Sequence, residues 1–190
     1  MSREKIFEAL SQSALGQLPM PEINLGTQQA CAVETFIASA EKAAAKVVRL
    51  QDTQALVERI EQAKAKGMQV LCLAQGFEGN RDQANGAHSL ENIDLTLVEA
   101  PLGVAENGAI LLTDAQMGAH RVTPYITEEL AVILRTEQIV ATMHQAIEQL
   151  QLDQIEHGVF IAGPSKTADI EQALVIGAHG ARAVTLYLID

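Results

Sequence analysis

The stretch GPSKTAD, residues 163–169, combines a tight turn with two hydroxyl groups, a lysine and a carboxylate. The residues after it have helical spacing, so the stretch is predicted to open a helix. The apolar face of that helix would consist of Ile170, Leu174 and Val175. Backbone N–H groups at a helix N-terminus attract anions, and Lys166 would neutralise one there. The alternative is an ordinary N-cap in which Ser165 or Thr167 accepts the first N–H bonds.

A second candidate is the stretch GVAENGAI, residues 103–110, which places a carboxylate in a tight turn between two apolar runs. Glu106 is positioned there to act as a nucleophile that forms an acyl intermediate, or as a general base. The alternative is a plain Asn107-Gly108 hairpin turn preceded by a solvated glutamate.

A third candidate is the stretch GAHGAR, residues 177–182, in which a histidine lies between glycines. His179 is suited to carrying a proton or binding a ligand. The alternative is the C-cap of the preceding helix, where a histidine is favourably placed. The other four histidines are scattered without HxH or HxxxH spacing, so no metal site is predicted.

Composition narrows the class of protein. The chain has 190 residues and a net charge of −11, which argues against binding nucleic acid or anionic membranes. No apolar run approaches the length of a membrane span, and the N-terminus lacks the apolar segment of a signal peptide. The two cysteines, Cys31 and Cys72, are widely separated and are predicted to be small core residues. A cytoplasmic location is expected, and this chain by itself cannot ligate a four-cysteine iron–sulfur cluster.

The elements that position these stretches alternate between apolar strands and helices. Helices are predicted over residues 3–15, 27–45, from Asp52 or Thr53 to Gly67, and over Glu137–Leu150, besides the one after residue 165. Strands are predicted over Val47–Leu50, Met68–Ala74, Leu95–Glu99, Ala109–Thr113, Leu130–Leu134, Val159–Ala162 and Ala183–Ile189. This order predicts an α/β fold with a mostly parallel sheet covered on both faces, in which the last two strands and their helix form a β-turn-α-β unit.

Three stretches of the sequence carry a resemblance to a known family. GPSKTADIEQALVIGAHG, residues 163–180, resembles the signature of the lactate-utilisation LUD family, in particular its short LutC/YkgG-type members. AENGAI, residues 105–110, resembles that family's AETGT turn, and residues 121–134 resemble its segment from an arginine through a proline to an apolar strand. The resemblance covers residues 46–190 in order. It divides the chain into an N-terminal helical segment, residues 1–45, and a LUD-type α/β domain, residues 46–190.

The resemblance implies a three-layer α/β sandwich of the NagB/RpiA/CoA transferase-like type. It implies a subunit of a lactate-utilisation system that supports oxidation of L-lactate to pyruvate and binds a small anion or a redox partner. No cofactor is expected on this chain, and iron–sulfur clusters are expected in partner subunits. The predicted catalytic residues are Glu106 and His179. The predicted anion- or substrate-binding residues are Asn107, Gly108, Gly163, Ser165, Lys166, Thr167, Asp169, Gly180 and Arg182.

The sequence departs from the family pattern at several positions. Asn107 and Ala109 replace threonines, Ala181 replaces a proline, and residues 127–129 (TEE) lack the histidine that often follows the proline of the middle segment. Two alternatives remain beside the lactate subunit. One is a stand-alone CoA- or acyl-transferring enzyme with Glu106 as nucleophile, since Glu106-Asn107-Gly108 is similar to the SENG turn of CoA transferases. The other is an assembly protein without chemistry, so whether the chain is itself an enzyme stays open.

Overall fold

The computed structural model describes residues 2–12, 32–151, 154–168 and 174–190. Its helices are α1 (Arg3–Gln12), α2 (Ala32–Lys42), α3 (Gln54–Ala65), α4 (Asp114–Met117), α5 (Thr123–Ile126) and α6 (Met143–Gln149), with 3-10 turns at Ala87–Leu90 and Thr136–Gln138. Its strands are β1 (Lys46–Leu50), β2 (Val70–Cys72), β3 (Leu95–Glu99), β4 (Leu102–Val104), β5 (Ala109–Thr113), β6 (Glu129–Arg135), β7 (Ile139–Val140), β8 (Gly158–Ile161), β9 (Lys166–Ala168), β10 (Leu174–Ile176) and β11 (Ala183–Ile189).

A five-stranded parallel sheet with the order β1-β11-β6-β3-β2 forms the centre of the molecule. Its strands are nearly continuous runs of Val, Leu, Ile and Ala, as expected for strands that are buried on both faces. The connection from β1 to β2 crosses from one edge strand of this sheet to the other. The later connections, from β2 to β3, β6 and then β11, move step by step back toward β1. Since parallel crossovers are right-handed, the first connection and the later ones must lie on opposite faces.

The packing follows this rule. On one face, α3 buries Leu56 and Ile60 against β2, β3 and β6. On the other face, β5, which belongs to the connection from β3 to β6, buries Leu112 in a cluster with Val132 of β6, and α2 adds Phe36 and Ala40 to this cluster. The predicted α/β class, with a mostly parallel sheet between covering layers and a helical N-terminal segment, is therefore confirmed.

The covering layer beside α2 is itself a sheet, which the sequence prediction missed. It has the order β7-β4-β5-β8 and is antiparallel except between β4 and β7. The helix predicted over Glu137–Leu150 is wrong in its first part, because Ile139 and Val140 form β7 and α6 begins only at Met143. The physical reason is the capping box in which Thr142 and Gln145 start the helix, while the two β-branched residues before it fit a strand.

The predicted helix after residue 165 is also wrong. Residues 166–168 form β9 and pair antiparallel with β10, with Thr167 opposite Val175. The β-branched residues Thr167, Val175 and Ile176 fit a pleated strand, and this pairing overrides a weak helical pattern. Strand β8 lies in the four-stranded sheet and β11 in the five-stranded sheet, so they do not form a β-turn-α-β unit. Ile170 lies outside the described residues.

The N-terminal segment has two described helices. Ile6 and Leu10 lie in α1, as their spacing predicted, but no residue of α1 is buried. By contrast, α2 contributes to the core. The boundary between residues 45 and 46 stays a prediction. None of the helices in the described ranges is long and apolar enough to cross a bilayer.

Candidate functional site

A cavity of about 320 Å³ opens where β8 leaves the four-stranded sheet, beside the first residues of β6 and β11. We name it the Ser165 cavity. Its polar wall consists of Tyr125, Ser165, Lys166 and His179. Its apolar wall includes Leu130, Phe160 and Val184. The cavity thus combines two nitrogen-bearing side chains with a hydrocarbon surface, which suits a small ligand with one charged end.

The turn at Gly163 is fixed by its close approach to the end of α2. Gly163 has a φ of 70°, and a Cβ at this position would overlap the carbonyl oxygen of Ala43. Only glycine combines that backbone conformation with that approach. Gly163 and Pro164 are both buried, so the turn is a packed part of the fold. It sets the direction in which Ser165 and Lys166 leave β8.

Lys166 is held by the same end of α2. Its Nζ donates a hydrogen bond to the Ala43 carbonyl oxygen at 2.5 Å. Carbonyl groups at a helix C-terminus carry partial negative charge, so the ammonium group is favourably placed. An ammonium group has three N–H donors, and this contact uses one of them. The exposed lysine is therefore anchored and can still donate to an anion. The cation lies beside a helix C-terminus, whereas the sequence had placed it at a helix N-terminus.

Ser165 is joined to the loop that carries His179. Its backbone N–H donates to the Ala181 carbonyl at 2.9 Å, and its own carbonyl accepts from the Gly177 N–H at 2.9 Å. A Cβ on Gly180 would lie 3.2 Å from the Ser165 Cβ, so the loop packs closely here. His179 is exposed on this loop. The predicted C-cap alternative for His179 is wrong, because a strand precedes the loop.

The Glu106 turn is a hairpin turn between β4 and β5. The Gly108 N–H donates to the Val104 carbonyl at 2.9 Å, and Asn107 Oδ1 accepts from the Ala109 N–H at 3.0 Å. Gly108 has a φ of 68°, and a Cβ there would overlap the backbone of α2. Glu106 itself is exposed. Asn107 and Gly108 therefore shape the turn, and the carboxylate projects from it.

The two turns lie at the same end of the four-stranded sheet, because β5 begins where its antiparallel neighbour β8 ends. Both glycines also contact the last turn of α2. Glu106 does not belong to the lining of the Ser165 cavity among the described residues. The structure thus brings Gly163, Ser165, Lys166, His179 and Gly180 into one cavity, with the Glu106 turn as a neighbour.

Three further predicted site residues have other positions. Arg182 points its guanidinium at Glu128, with Nη1 3.1 Å from Oε2, and both side chains are mostly exposed. Thr167 lies in β9. Asp169 lies outside the described residues. Glu128 is one of the residues that stand where the family often has a histidine. Here it serves the ion pair with Arg182.

Tyr125 is the lining residue that the sequence analysis missed. It lies in the short helix α5, directly after the buried Pro124, and 37% of its surface is exposed. The only available signal was the proline of the middle segment, which marks a turn without indicating where the next side chain points. No group of three or more His, Cys, Asp or Glu side chains suited to a metal occurs within the described ranges. Cys72 is half-buried, and Cys31 lies outside those ranges.

The architecture is that of an α/β protein in which a mixed sheet covers one face of a parallel sheet. The sequence profile of the LUD domain matches residues 77–189, and the chain belongs to this family. The matched range contains the Glu106 turn and the whole polar wall of the Ser165 cavity.

Comparison with individual proteins agrees with this assignment. The chain is 31% identical to "Lactate utilization protein C" of Macrococcus caseolyticus over 57% of this chain and 51% of that protein. It is 28% identical to the protein of the same name from Shouchella clausii, over 58% and 50%. The chain thus spans about half the length of these curated relatives. A crystal structure of a DUF162 family protein from Deinococcus radiodurans superposes with a TM-score of 0.64 and 16% identity, over 87% of this chain and all of that one. That similarity establishes the fold.

Proposed function

We propose that this chain is a subunit of a lactate-utilisation system and supports the oxidation of L-lactate to pyruvate. Its membership of the LUD family and its relatives named lactate utilization protein C support this proposal. In this proposal the Ser165 cavity binds the small anion, or the anionic group of a redox partner. The structural observation that carries it is the anchored ammonium group of Lys166, which lines a small cavity together with His179 and an apolar wall.

The chemistry of L-lactate matches the two ends of this cavity. A carboxylate at one end would accept charge-assisted hydrogen bonds from Lys166 and the Ser165 hydroxyl. The methyl group would pack against the apolar wall near Phe160. The hydroxyl group would then be left for His179, whose imidazole can act as a general base. Because the net charge of the chain is −11, the fixed positive charge of Lys166 is needed to offset the repulsion of an anion by the rest of the protein.

Oxidation of L-lactate to pyruvate removes two electrons and two protons, so an electron acceptor is required. The two cysteines of this chain cannot form a four-cysteine cluster. We therefore propose that iron–sulfur clusters in partner subunits accept the electrons, in the cytoplasm. This chain would contribute the binding surface and, through His179, the acceptor of the hydroxyl proton, while the C2–H bond would break with its electron pair passing to the partner subunits and its proton to solvent.

Lys166→Gln is the variant that tests the cavity. It should weaken the binding of L-lactate and pyruvate at least about tenfold, because a charge-assisted hydrogen bond to the ligand carboxylate is replaced by one from a neutral amide. Titration followed by NMR of the isolated protein measures this and also reports which residues shift. Lys42→Gln is a matched control, since Lys42 is exposed at the end of the same helix α2 and lies outside the lining. Unchanged affinity in Lys166→Gln, or signals that shift away from Ser165 and His179, would contradict the proposed site.

Acyl transfer through Glu106 is the second candidate function. The observation that favours it is the ordered hairpin turn, which presents an exposed carboxylate beside the Ser165 cavity. In this hypothesis Glu106 forms a mixed anhydride with an acyl group while a thiol leaves. An assembly role without chemistry is the remaining alternative, in which the glycines only shape turns.

A further inference from the structure

A second cavity of about 370 Å³ lies at the opposite end of the central strands from the Ser165 cavity. It opens beyond the last residues of β2 and β3 and is closed by the first turn of α4 and the 3-10 turn after β6. We name it the Glu99 cavity. Its polar lining consists of Gln75, Glu99, Gln116 and Gln138. The Ser165 cavity, by contrast, adjoins the first residues of β6 and β11.

The Glu99 cavity lies at the end of the parallel strands where ligands bind in this class of fold, although away from the point between β1 and β11 where the strand order reverses. Open α/β sheets bind their ligands outside the carboxyl ends of the parallel strands. Main-chain pairing still holds these ends together, since the Leu73 N–H donates to the Leu97 carbonyl at 2.8 Å and the Ala100 N–H to the Ile133 carbonyl at 2.8 Å. The strands therefore form a firm base for side chains that reach into the cavity. The volume lies within the ordinary range for small-molecule sites, about 300 to 1,000 Å³.

The lining chemistry selects against anions. Glu99 is the one charged side chain of the lining, and no lysine, arginine or histidine belongs to it among the described residues. Arg135 approaches Glu99 from outside the lining, with its Nε 3.6 Å from Oε1, and both side chains are partly exposed. The pairing is too long for a hydrogen bond, so the carboxylate keeps its capacity to accept one. A carboxylate accepts from hydroxyl groups and repels phosphate or carboxylate.

The amide groups supply both donors and acceptors. Gln116 Oε1 accepts from the Thr113 N–H at 3.1 Å and the Thr113 hydroxyl at 2.7 Å, which fixes this side chain and leaves its amide N–H groups for other partners. Gln138 Oε1 is buried and has no hydrogen-bond partner in the described part of the chain. A buried acceptor without a partner is unfavourable, so a rotation of the Gln138 amide toward a ligand hydroxyl group in the cavity would be stabilising. The remaining wall is aliphatic, formed by Leu73, Ala100 and Pro101.

We propose that the Glu99 cavity binds a neutral sugar ring. Two neighbouring hydroxyl groups of the ring donate to the Glu99 carboxylate, which is the way acidic residues hold a ribose diol in other α/β folds. The amides of Gln116 and Gln138 bind further ring hydroxyl groups, and the C–H face of the ring packs on the aliphatic wall. The ring is supplied either as a free monosaccharide or as the ribose of a nucleoside. This binding is independent of the lactate proposal, because the Glu99 cavity lies at the opposite end of the strands from the Ser165 cavity.

Ligand titrations followed by NMR on the full chain test this proposal. The probes are D-glucose for the free ring, adenosine for the nucleoside and 2′-deoxyadenosine as its partner without the diol. Each is added up to about 10 mM, since a site with a few hydrogen bonds supports millimolar affinity. The side-chain amide signals of Gln75, Gln116 and Gln138 report binding directly. L-lactate is added separately and should leave these three signals unchanged.

Glu99→Gln is the decisive variant, with Glu91→Gln as the control because Glu91 is exposed and outside the cavity. We expect saturable shifts with D-glucose or adenosine, and at least tenfold weaker binding in Glu99→Gln. Binding of D-glucose assigns the free ring. Binding of adenosine alone, weakened in 2′-deoxyadenosine, assigns the nucleoside. Gln138→Leu gives a second test if Glu99→Gln fails to fold, and it should weaken the same ligand. The proposal is overturned if neither probe shifts the three amides, or if binding survives both substitutions.

Discussion

Lys166 is an exposed lysine whose ammonium group has a main-chain partner, the Ala43 carbonyl. This contact fixes the position of the charge, which a lysine on a free surface does not have. The sequence singled out Ser165 and Lys166 in one candidate stretch and His179 in another, and the structure places all three in one cavity. It could not reveal the Ala43 contact, because that contact joins residues 123 positions apart.

The role of Glu106 can be tested by replacing one of its carboxylate oxygens with an amide nitrogen. We expect Glu106→Gln to leave L-lactate binding within about twofold of the wild type, because the side chain is exposed and lies outside the Ser165 cavity. Calorimetry measures this affinity. In parallel, mass spectrometry of the protein after incubation with acetyl-CoA detects a covalent acyl group. An acyl adduct that is present in the wild type and absent in Glu106→Gln would favour the acyl-transfer alternative instead.

Cys72 should be an unreactive thiol. Burial raises the pKa of Cys72 to about 11, and the charge of Lys64 lowers it by a smaller amount. The thiolate is the reactive form, so in a Cys31→Ser background the folded protein should react with iodoacetamide at pH 8 at least about tenfold more slowly than in urea. Mass spectrometry follows the rate. Equal rates in the folded and unfolded protein would contradict the assigned burial.

The raised pKa of Cys72 also affects how the stability of the protein depends on pH. The unfolded thiol titrates near 9.0 and the folded thiol near 11. Between these values the folded state keeps a proton that the unfolded state releases, so stability should fall as pH rises through this window. The Cys72→Ala variant should show a shallower alkaline loss in melting experiments.

At the scale of elements, the end of α2 organises the candidate site. The turns at Gly108 and Gly163 both press against it, and Lys166 donates to it. The two turn motifs were visible in the sequence as Gly-containing breaks. That both turns pack against the end of α2 could not be predicted. Nothing in the sequence of an alanine-rich helix indicates which of its backbone groups a distant loop will contact.

Gly163→Ala tests this arrangement. We expect a loss of about 2 to 4 kcal/mol in the free energy of unfolding, because a methyl group combines an unfavourable φ with an overlap at the Ala43 carbonyl. Gly67→Ala is the matched control, since Gly67 has a φ of 80° but nothing within 4 Å of the added Cβ. That variant should lose only about 1 kcal/mol. Urea denaturation measures both, and equal losses would show that the contact with α2 contributes nothing.

The strands of the central sheet were predictable and the hairpin β9–β10 was not. Apolar runs such as Leu130–Leu134 and Ala183–Ile189 are too short for a typical helix and contain β-branched residues, so they favour buried strands. The segment around Thr167 and Val175 offered helical spacing and β-branched residues together, and tertiary pairing decided between them. The short strands β4 and β7 were missed because two or three residues carry too little periodicity to be recognised.

At the scale of the whole molecule, the lactate proposal requires partners. We expect that affinity purification from the source cell grown on L-lactate will recover cysteine-rich iron–sulfur proteins with this chain, because two cysteines cannot carry the electrons themselves. Quantitative mass spectrometry against a culture grown without L-lactate is the measurement. Recovery of the chain alone under both conditions would contradict the subunit proposal and direct attention to acyl-CoA substrates.

The position of β11 between β1 and β6 has a consequence for biosynthesis. Val47 in β1 pairs with Leu186 in β11, so β1 cannot pair with its neighbour in the sheet until almost all of the described chain has been synthesised. Until then β11 is missing between β1 and β6, so each of these two strands has an unpaired edge. Such edges favour pairing with other chains, and contacts this distant in sequence form slowly. Ribosome-associated chaperones should therefore matter more for the yield of this protein than its modest size suggests.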